Sequence, residues 1–425
     1  MQNICMNKKI ISWAMYDWAN SVFYTTVMAG FFPVFFKKYW SDEASASLST
    51  ERLGWALAVS GFLLAVTAPI FGVISDKRQL KKKLLFSTML IGCACSAGLF
   101  FVPQGDWASA ALLYGTGMFM ASASAVFYDS LMTSVCKEEQ YDFVSSLGYS
   151  LGYLGGGVMF ALNVAMTLKP EFFGIPDAAT AVRISFLMVG AWWFIFTLPL
   201  MKYVPEPEVE KNDKSMQVLI RETFKELIKL FKEIKQNKNL FYFIIGYWFY
   251  IDGVYTVMTM AVDFGLTLGL ESSDLIKALL ITQFVGFPSA YAFGIMSRKV
   301  NSRNLVFVCL IVYCISIIAA SEMSSAAHFY ALAAVIGLFQ GGVQALSRSL
   351  YAQLIPAEKS GEYFGFFNML GKFASVIGPA LVAISAGLIK KNNGDIRNTI
   401  LSLLILIVAG SYFLMKVKIT PLQKR

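Results

Sequence analysis

Four of the charged side chains that lie inside long apolar stretches of this 425-residue chain are the candidates for a functional site. They are Asp17, Asp129, Asp252 and Arg348. A charge at membrane depth is costly unless it faces water or a partner, so such residues usually serve a site. A carboxylate in an apolar setting can bind a cationic group or carry a proton, and the arginine fork suits a carboxylate. The pattern predicts a site that handles charged solutes or protons.

Polar residues lie close in sequence to two of these four charged residues. Tyr16 and Asn20 flank Asp17, and Gln344 precedes Arg348 by one helical turn. We expect these residues, with Asp252 near the middle of its apolar stretch, to bind a solute or a coupling proton. For Asp17, helix packing with a hydrogen bond to a neighbouring Trp or Tyr is an equal alternative.

The composition excludes several classes of protein. Hydrophobic residues make up 56% of the chain and charged residues 15%, with a mean hydropathy of +0.58. Soluble domains carry about 25% charged residues, so a soluble enzyme, a nucleic-acid-binding protein and a disordered chain are all disfavoured. The net charge of +9 comes from short basic clusters between apolar runs, which is typical of a polytopic membrane protein.

The apolar runs predict an all-α integral membrane protein with twelve transmembrane helices in two pseudo-symmetric six-helix bundles. Each run approaches the roughly 20 residues that cross a bilayer. The first run is expected to remain in the mature protein, because no small-residue cleavage site follows it. The predicted spans are 10–36, 53–75, 84–102, 108–135, 143–167, 184–201, 240–264, 274–296, 304–321, 327–353, 361–389 and 396–415.

The distribution of Lys and Arg predicts the orientation. With both termini inside, 25 of the 36 basic residues fall in inner segments and 8 in outer loops. Cytoplasmic loops of membrane proteins carry the excess of basic residues. We therefore expect both termini in the cytoplasm. The chain has no Asn-x-Ser/Thr sequon, which fits a bacterial inner membrane.

The longest connection divides the chain into an N-terminal bundle (1–201), a cytoplasmic linker (202–239) and a C-terminal bundle (240–425). Within the linker, apolar residues recur at helical spacing among lysines, which predicts an amphipathic helix against anionic lipids at the cytoplasmic face. A tether between the bundles is the favoured role, and a regulatory helix is the alternative.

Two short patterns repeat between the halves. Gly72 and Asp76 begin a segment rich in Lys and Arg, and Gly294 and Arg298 begin a similar one. Asp129-Ser-Leu likewise matches Arg348-Ser-Leu. Because Asp129 and Arg348 are pseudo-equivalent, opposite in charge and roughly 9 Å from the inner ends of their helices, we hypothesise that they pair across the halves as an inner gate. The alternative is that each pairs within its own half.

The segment from Gly72 to Lys83 resembles the G-x-x-x-D-R/K-x-G-x-R/K-R/K signature of the major facilitator superfamily, although the second glycine is missing. Further segments resemble the vacuole effluxer-like branch, which contains autophagy-linked vacuolar amino-acid exporters and bacterial relatives. These are 16–21, 145–149, 152–156, 252–253 and 344–349. The resemblance implies that spans 1, 4, 7 and 10 line a central cavity, and that the loop with Asp76, Lys77 and Arg78 latches the outward-open state.

Together these features predict a secondary active transporter that moves an amino acid or similar zwitterion by rocking alternating access, coupled to a proton or, alternatively, to sodium. A nucleoside, siderophore or organic-acid cargo and a non-transporting sensor or scaffold are the alternatives. One His, scattered Cys and the lack of a Walker motif predict no enzyme activity, metal or cofactor. We expect a monomer that binds no nucleic acid.

Overall fold

The computed structural model describes residues 6–41, 46–207, 216–267, 269–373, 377–391 and 395–418, and within these ranges every regular element is helical. The helices of the N-terminal half are α1 (Lys8–Val22), α2 (Phe32–Phe35), α3 (Ala46–Arg78), α4 (Lys81–Gly98), α5 (Trp107–Val135), α6 (Tyr141–Leu168) and α7 (Ala178–Tyr203).

A linker helix, α8 (Met216–Gln236), lies between the halves. The helices of the C-terminal half are α9 (Lys238–Thr267), α10 (Ser272–Met296), α11 (Ser302–Ser321), α12 (Ala326–Leu354), α13 (Ser360–Phe373), α14 (Ile377–Lys391) and α15 (Leu403–Met415).

The predicted number of spans agrees with the structure. Within the described residues, eleven helical segments are long and apolar enough to cross a membrane, and the apolar part of α14, Ile377–Ile389, is shorter. The predicted span 361–389 contains α13 and α14, and residues 374–376 between them lie outside the described residues.

The first membrane helix is wider than an ordinary α-helix over part of its length. Between α1 and α2 the residues Phe23–Phe31 form a π-helix, and the N–H of Phe32 donates to the carbonyl of Val27, five residues back. A second π-helical stretch, Phe36–Trp40, follows α2. The helix therefore runs continuously from Lys8 to Trp40, four residues beyond the predicted end.

The two halves meet mainly on the side of the molecule where the linker lies, which we call the linker side. There α3 packs on α13, α5 packs on α13 and α6 packs on α12, while α6 also packs on α10 from Gly294 near this side to Gln283, which faces Gly157. At the crossing of α3 and α13, a Cβ atom on Gly72 would overlap the carbonyl group of Gly361. Toward the opposite side, which we call the far side, no atom of the described residues lies within 4 Å of the Cβ positions of Gly54 and Gly61 on α3.

The close approach at Gly72 predicts a position-specific effect of alanine. We expect Gly72→Ala to lower the thermal stability of the purified protein, because forcing apart a packed contact costs about 1–3 kcal/mol. Gly54→Ala on the same helix is the control, where removing a helical glycine stabilises by up to about 1 kcal/mol. Equal melting temperatures for the two variants would contradict the tight crossing.

Candidate functional site

Arg348 on α12 lies at the boundary between the halves and is 3% exposed. Its Nη1 atom lies 3.1 Å from Oδ1 of Asp129, and its Nη2 atom lies 3.2 Å from Oδ2 of Asp17. The Nε atom donates to Ser145 Oγ at 2.9 Å, and Nη2 also donates to the Ser145 carbonyl at 3.0 Å. One arginine of the C-terminal half thus binds three residues of the N-terminal half.

Each carboxylate has a second partner. The Tyr128 hydroxyl donates to Asp17 Oδ2 at 2.8 Å. The side-chain amide of Asn368 on α13 donates to Asp129 Oδ2 at 3.2 Å. The two acids are therefore held in fixed orientations on either side of Arg348.

Aromatic rings enclose the guanidinium group. Its central carbon lies 5.0 Å from the centre of the Trp13 ring, 5.5 Å from that of Tyr128 and 4.4 Å from that of Tyr149. Trp13 stacks on Tyr128 with ring centres 4.4 Å apart, and its indole N–H donates to the Tyr128 carbonyl. Electron-rich ring faces attract a cation and also exclude water from it.

The formal charges of this cluster do not balance. Asp17 and Asp129 bring two negative charges when both are ionised, and Arg348 brings one positive charge. A buried excess charge is unfavourable unless it gains a compensating ion or proton. The cluster is thus a place where a proton or a cationic group would be stabilised.

Asp252 lies apart from this cluster, within the C-terminal half. Its Oδ1 atom accepts from the N–H of Gly378 at 3.0 Å and its Oδ2 atom from the N–H of Ile377 at 3.1 Å. Thr256 Oγ1 also donates to Oδ1 at 3.3 Å. The carboxylate therefore binds the N-terminus of α14, where backbone N–H groups and the helix dipole favour negative charge.

The other predicted binding residues take different positions. Tyr16 is fully buried and packs against Tyr128, with ring centres 4.8 Å apart. Asn20 is buried in α1, one turn beyond Asp17. Gln344 on α12 accepts a hydrogen bond from Tyr153 of α6 at 3.1 Å. Gln344 therefore contacts the opposite half, whereas Tyr16 packs within its own.

Asp76 connects the halves at the linker side. Its carboxylate accepts from the N–H of Gly361 at 3.1 Å and from that of Glu362 at 2.8 Å, at the N-terminus of α13. Lys81 lies 2.7 Å from Asp76 and donates to Ser360 Oγ at 2.8 Å. An acid of one half thus binds the start of a helix in the other, where the helix dipole favours it.

The rest of the basic segment approaches the linker. Lys77 forms an ion pair with Glu226 of α8 at 3.2 Å, and Arg78 ends α3 in a half-buried position. Farther along α8, Glu233 accepts from Lys359 at 3.0 Å and from the Tyr363 hydroxyl at 3.0 Å. The linker helix is therefore bound to both halves.

The Glu233–Lys359 contact shifts both pKa values. Burial raises the pKa of Glu233, but the hydrogen bonds from Lys359 and Tyr363 outweigh it and the net shift is downward. Burial lowers the pKa of Lys359, but the hydrogen bond and charge of Glu233 raise it overall. The pair therefore stabilises the folded protein throughout the neutral range. Its contribution is lost as the pH falls through the lowered pKa of Glu233 or rises through the raised pKa of Lys359.

Several contacting residues were missed from the sequence. Ser145, Tyr128 and Tyr149 surround the charged cluster but are uncharged, and such residues are common in membrane helices. Ser145 and Tyr149 lie in 145–149, one of the segments that carry the family resemblance. That resemblance is the feature of the sequence that could have indicated their role. Asp142, a buried acid in the first turn of α6, looked like a loop residue in the sequence.

Comparison with known proteins identifies the family. The model of the family described as "Vacuole effluxer Atg22 like" matches residues 55–141 and 133–421. The MFS-type transporter YxiO of Bacillus subtilis (strain 168) is 36% identical over 401 residues, covering 94% of this chain and 92% of that protein. The chain belongs to the Atg22-like family of major facilitator superfamily transporters. It is thus a multi-pass membrane transporter of small solutes, from a superfamily that is not enzymatic.

Fungal members of the Atg22-like family are more distant. Autophagy-related protein 22 of Eremothecium gossypii is 22% identical over 89% of this chain and 78% of its own length. Autophagy-related protein 22-2 of Aspergillus clavatus is 23% identical over 65% of this chain, which spans about half (48%) of that protein.

Solved structures show the same fold. The human organic anion transporter MFSD10 matches with a TM-score of 0.70 at 12% identity, covering 96% of this chain and 99% of that one. The proton:xylose symporter XylE also matches with a TM-score of 0.70 at 12% identity, covering 97% and 94%. The predicted major facilitator fold is confirmed.

The charge imbalance around Arg348 predicts a pattern of stabilities. Arg348→Gln leaves two buried carboxylates without their cation, and we expect it to reduce the free energy of unfolding by about 3–5 kcal/mol. The triple variant Asp17→Asn/Asp129→Asn/Arg348→Gln removes all three charges and should recover most of that loss. The measurement is thermal unfolding in detergent.

The matched control is Arg397→Gln. Arg397 pairs with Asp395 at an exposed position, so its loss should change stability by no more than about 1 kcal/mol. A triple variant less stable than Arg348→Gln would contradict the description of these residues as one compensating cluster.

Proposed function

We propose that this Atg22-like transporter moves a small zwitterion, most simply an amino acid, together with a proton. The observation that carries the proposal is the position of Arg348 between Asp17 and Asp129, buried at the boundary of the halves. With both aspartates ionised, this cluster has one negative charge more than it has positive charges. Such a cluster offers a positive group to the carboxylate of a zwitterion and negative groups to its ammonium.

The formal charges of the cluster lead to the proposed coupling between solute and proton. Arg348 and the two aspartates sum to one negative charge, and a zwitterion adds none. One proton on the spare carboxylate brings the loaded site to neutrality, which favours its passage through an apolar environment. Solute and proton are therefore expected to move together. Sodium in the place of the proton is the alternative.

The same contacts connect binding to the gate. Arg348 holds α12 against α5 and α6 on the linker side by binding Asp129 and Ser145. A solute carboxylate that competes for the guanidinium group would weaken these bonds and release the halves. Arg348 in this proposal is both a binding residue and half of the predicted inner gate, with Asp129 as the other half.

The orientation follows from the basic residues. We place the linker side in the cytoplasm of a bacterial inner membrane, with both termini there, on the strength of the excess of Lys and Arg in the segments on that side. Contacts between the halves lie mainly on that side, including those of Asp76 with α13. The described conformation is then closed toward the cytoplasm.

Asp252 remains a predicted binding residue, but its carboxylate already has hydrogen-bond partners in this conformation. Both of its oxygens accept backbone N–H groups of α14 in this conformation. A solute group that took the place of these N–H donors would free the N-terminus of α14. The site at Arg348 needs no such rearrangement of a helix end.

The first test is ligand binding. We expect amino acids, screened beside nucleosides, sugars and organic acids at pH 5.5 and 7.5, to raise the melting temperature of the wild-type protein. The neutral triple variant at positions 17, 129 and 348 should show no shift, because the charges that bind a zwitterion are gone. A shift with another solute class would overturn the cargo. No shift with any class would favour a sensor or scaffold.

The second test is coupling, in proteoliposomes that contain a trapped pH indicator. Wild-type transport should carry about one proton per solute. Asp17→Asn and Asp129→Asn should each continue solute exchange but lose the pH signal, because Arg348 then balances the single remaining carboxylate. Glu139→Gln, at an exposed position near the start of α6, is the control. Both aspartate variants keeping a full pH signal would contradict proton coupling at this cluster.

We also propose that α8 contacts anionic lipid. Its exposed face carries four lysines around Ile228 and Phe231, which are 59% and 54% exposed. Basic residues at a membrane surface contribute about 1 kcal/mol each with anionic lipid. The lysines are Lys225, Lys229, Lys232 and Lys235.

Nanodiscs of phosphatidylglycerol and of phosphatidylcholine test the lipid contact. The wild-type protein should melt at a higher temperature in phosphatidylglycerol, and changing the four α8 lysines to Gln should remove most of that difference. The control changes four exposed far-side lysines to Gln: Lys37, Lys38, Lys169 and Lys391. An equal loss in both variants would show a general charge effect and would contradict a lipid site on α8.

A further inference from the structure

Asp142 is a buried acid between the halves that has no part in the site described above. It lies in the first turn of α6 on the linker side and is 7% exposed. Its carboxylate accepts hydrogen bonds from Ser302 at the start of α11, from Ser349 on α12 and from the amide of Gln353 on α12 at 3.0 Å. All three donors belong to the C-terminal half.

These partners are uncharged. Within the described part of the chain, Asp142 forms no ion pair, in contrast to Asp76, which pairs with Lys81. Three donors from two helices converge on one carboxylate, which is how a buried anion is stabilised without a cation. Separating the halves at this point breaks all three bonds together.

The repeat in the sequence explains why an acid lies here. In the first half, Gly72 permits close packing on α13 and Asp76, four residues later, binds the start of α13. In the second half, Gly294 also packs closely on α6, since a Cβ there would lie 2.7 Å from the Cβ of Ser146. The residue four positions later is Arg298 rather than an acid.

At the second contact, the acid lies not on α10 with the glycine but on the facing helix, α6. Arg298 places its guanidinium group over the ring of Phe143, at 4.7 Å, and Asp142 directly precedes that phenylalanine. Both repeats thus bring a glycine crossing and a buried carboxylate to the linker side. In the first the carboxylate comes from the helix with the glycine, and in the second it comes from the facing helix.

We propose that Asp142, with Ser302, Ser349 and Gln353, is a second linker-side latch that stabilises the same conformation as the Asp76 contact. The proposal rests on the alternating access proposed above. Asp142 acts as a positioning residue: it touches no solute, and it sets how readily α6 separates from α11 and α12. Replacing its charge should shift the balance between the two conformations without changing the groups around Arg348.

Distance measurement between spin labels tests the latch directly. Labels at Lys137→Cys and Lys299→Cys, both exposed on the linker side of opposite halves, are introduced after the native cysteines are replaced. In nanodiscs, Asp142→Asn should raise the ratio of the longer to the shorter distance about tenfold, the usual effect of losing a charge-assisted cluster. The matched control, Glu139→Gln, removes an exposed acid near the same helix start and should leave the ratio unchanged.

A ratio for Asp142→Asn equal to that of the control would overturn the proposal. If Asp142→Asn does not fold, Ser349→Ala and Gln353→Ala remove the donors instead. The double variant should then shift the ratio by less than the sum of the single effects, and purely additive or absent effects would also overturn it. The distances need no solute, so the latch can hold even where the transport tests reject a zwitterion or a proton.

Discussion

The structure depends on the buried attraction between one arginine and two carboxylates. Arg348 crosses from the C-terminal half and binds Asp17 and Asp129 of the N-terminal half. Inside a membrane protein neither sign of charge is stable alone, so each half presents a group that only the other half can satisfy. This mutual dependence holds the halves together.

Other contacts confine that attachment mainly to the linker side. Close glycine crossings at Gly72 and Gly294 bring the helix surfaces together, and the carboxylates of Asp76 and Asp142 bind donors across the boundary. The linker helix α8 adds ion pairs to both halves. These bonds are local and polar, whereas the buried core around them is largely hydrophobic.

The sequence predicted the residues of the charged cluster but only part of their arrangement. Asp129 and Arg348 were expected to meet, because they occupy the same place in a repeat with opposite charges. For Asp17, a hydrogen bond to a Trp or Tyr was one of two alternatives, beside solute or proton binding, and the structure shows a hydrogen bond from Tyr128. Its simultaneous contact with Arg348 was not foreseen, since helical spacing fixes which face a residue occupies but not which helix lies opposite. Asp252 is predicted to bind a solute or proton, and in this conformation its carboxylate accepts N–H groups at the start of α14, a contact that the sequence did not predict.

By itself the sequence determined that this chain crosses the membrane about twelve times and carries its charges in a few specific helices. Apolar length, basic loops and the internal repeat are local properties that one chain displays without its fold. Only the tertiary structure decided which charges share a partner, because that depends on how α1, α5, α6 and α12 converge. It also decided that Asp142, which looks like a loop residue in the sequence, is buried between the halves, since its donors come from residues at least 160 positions away.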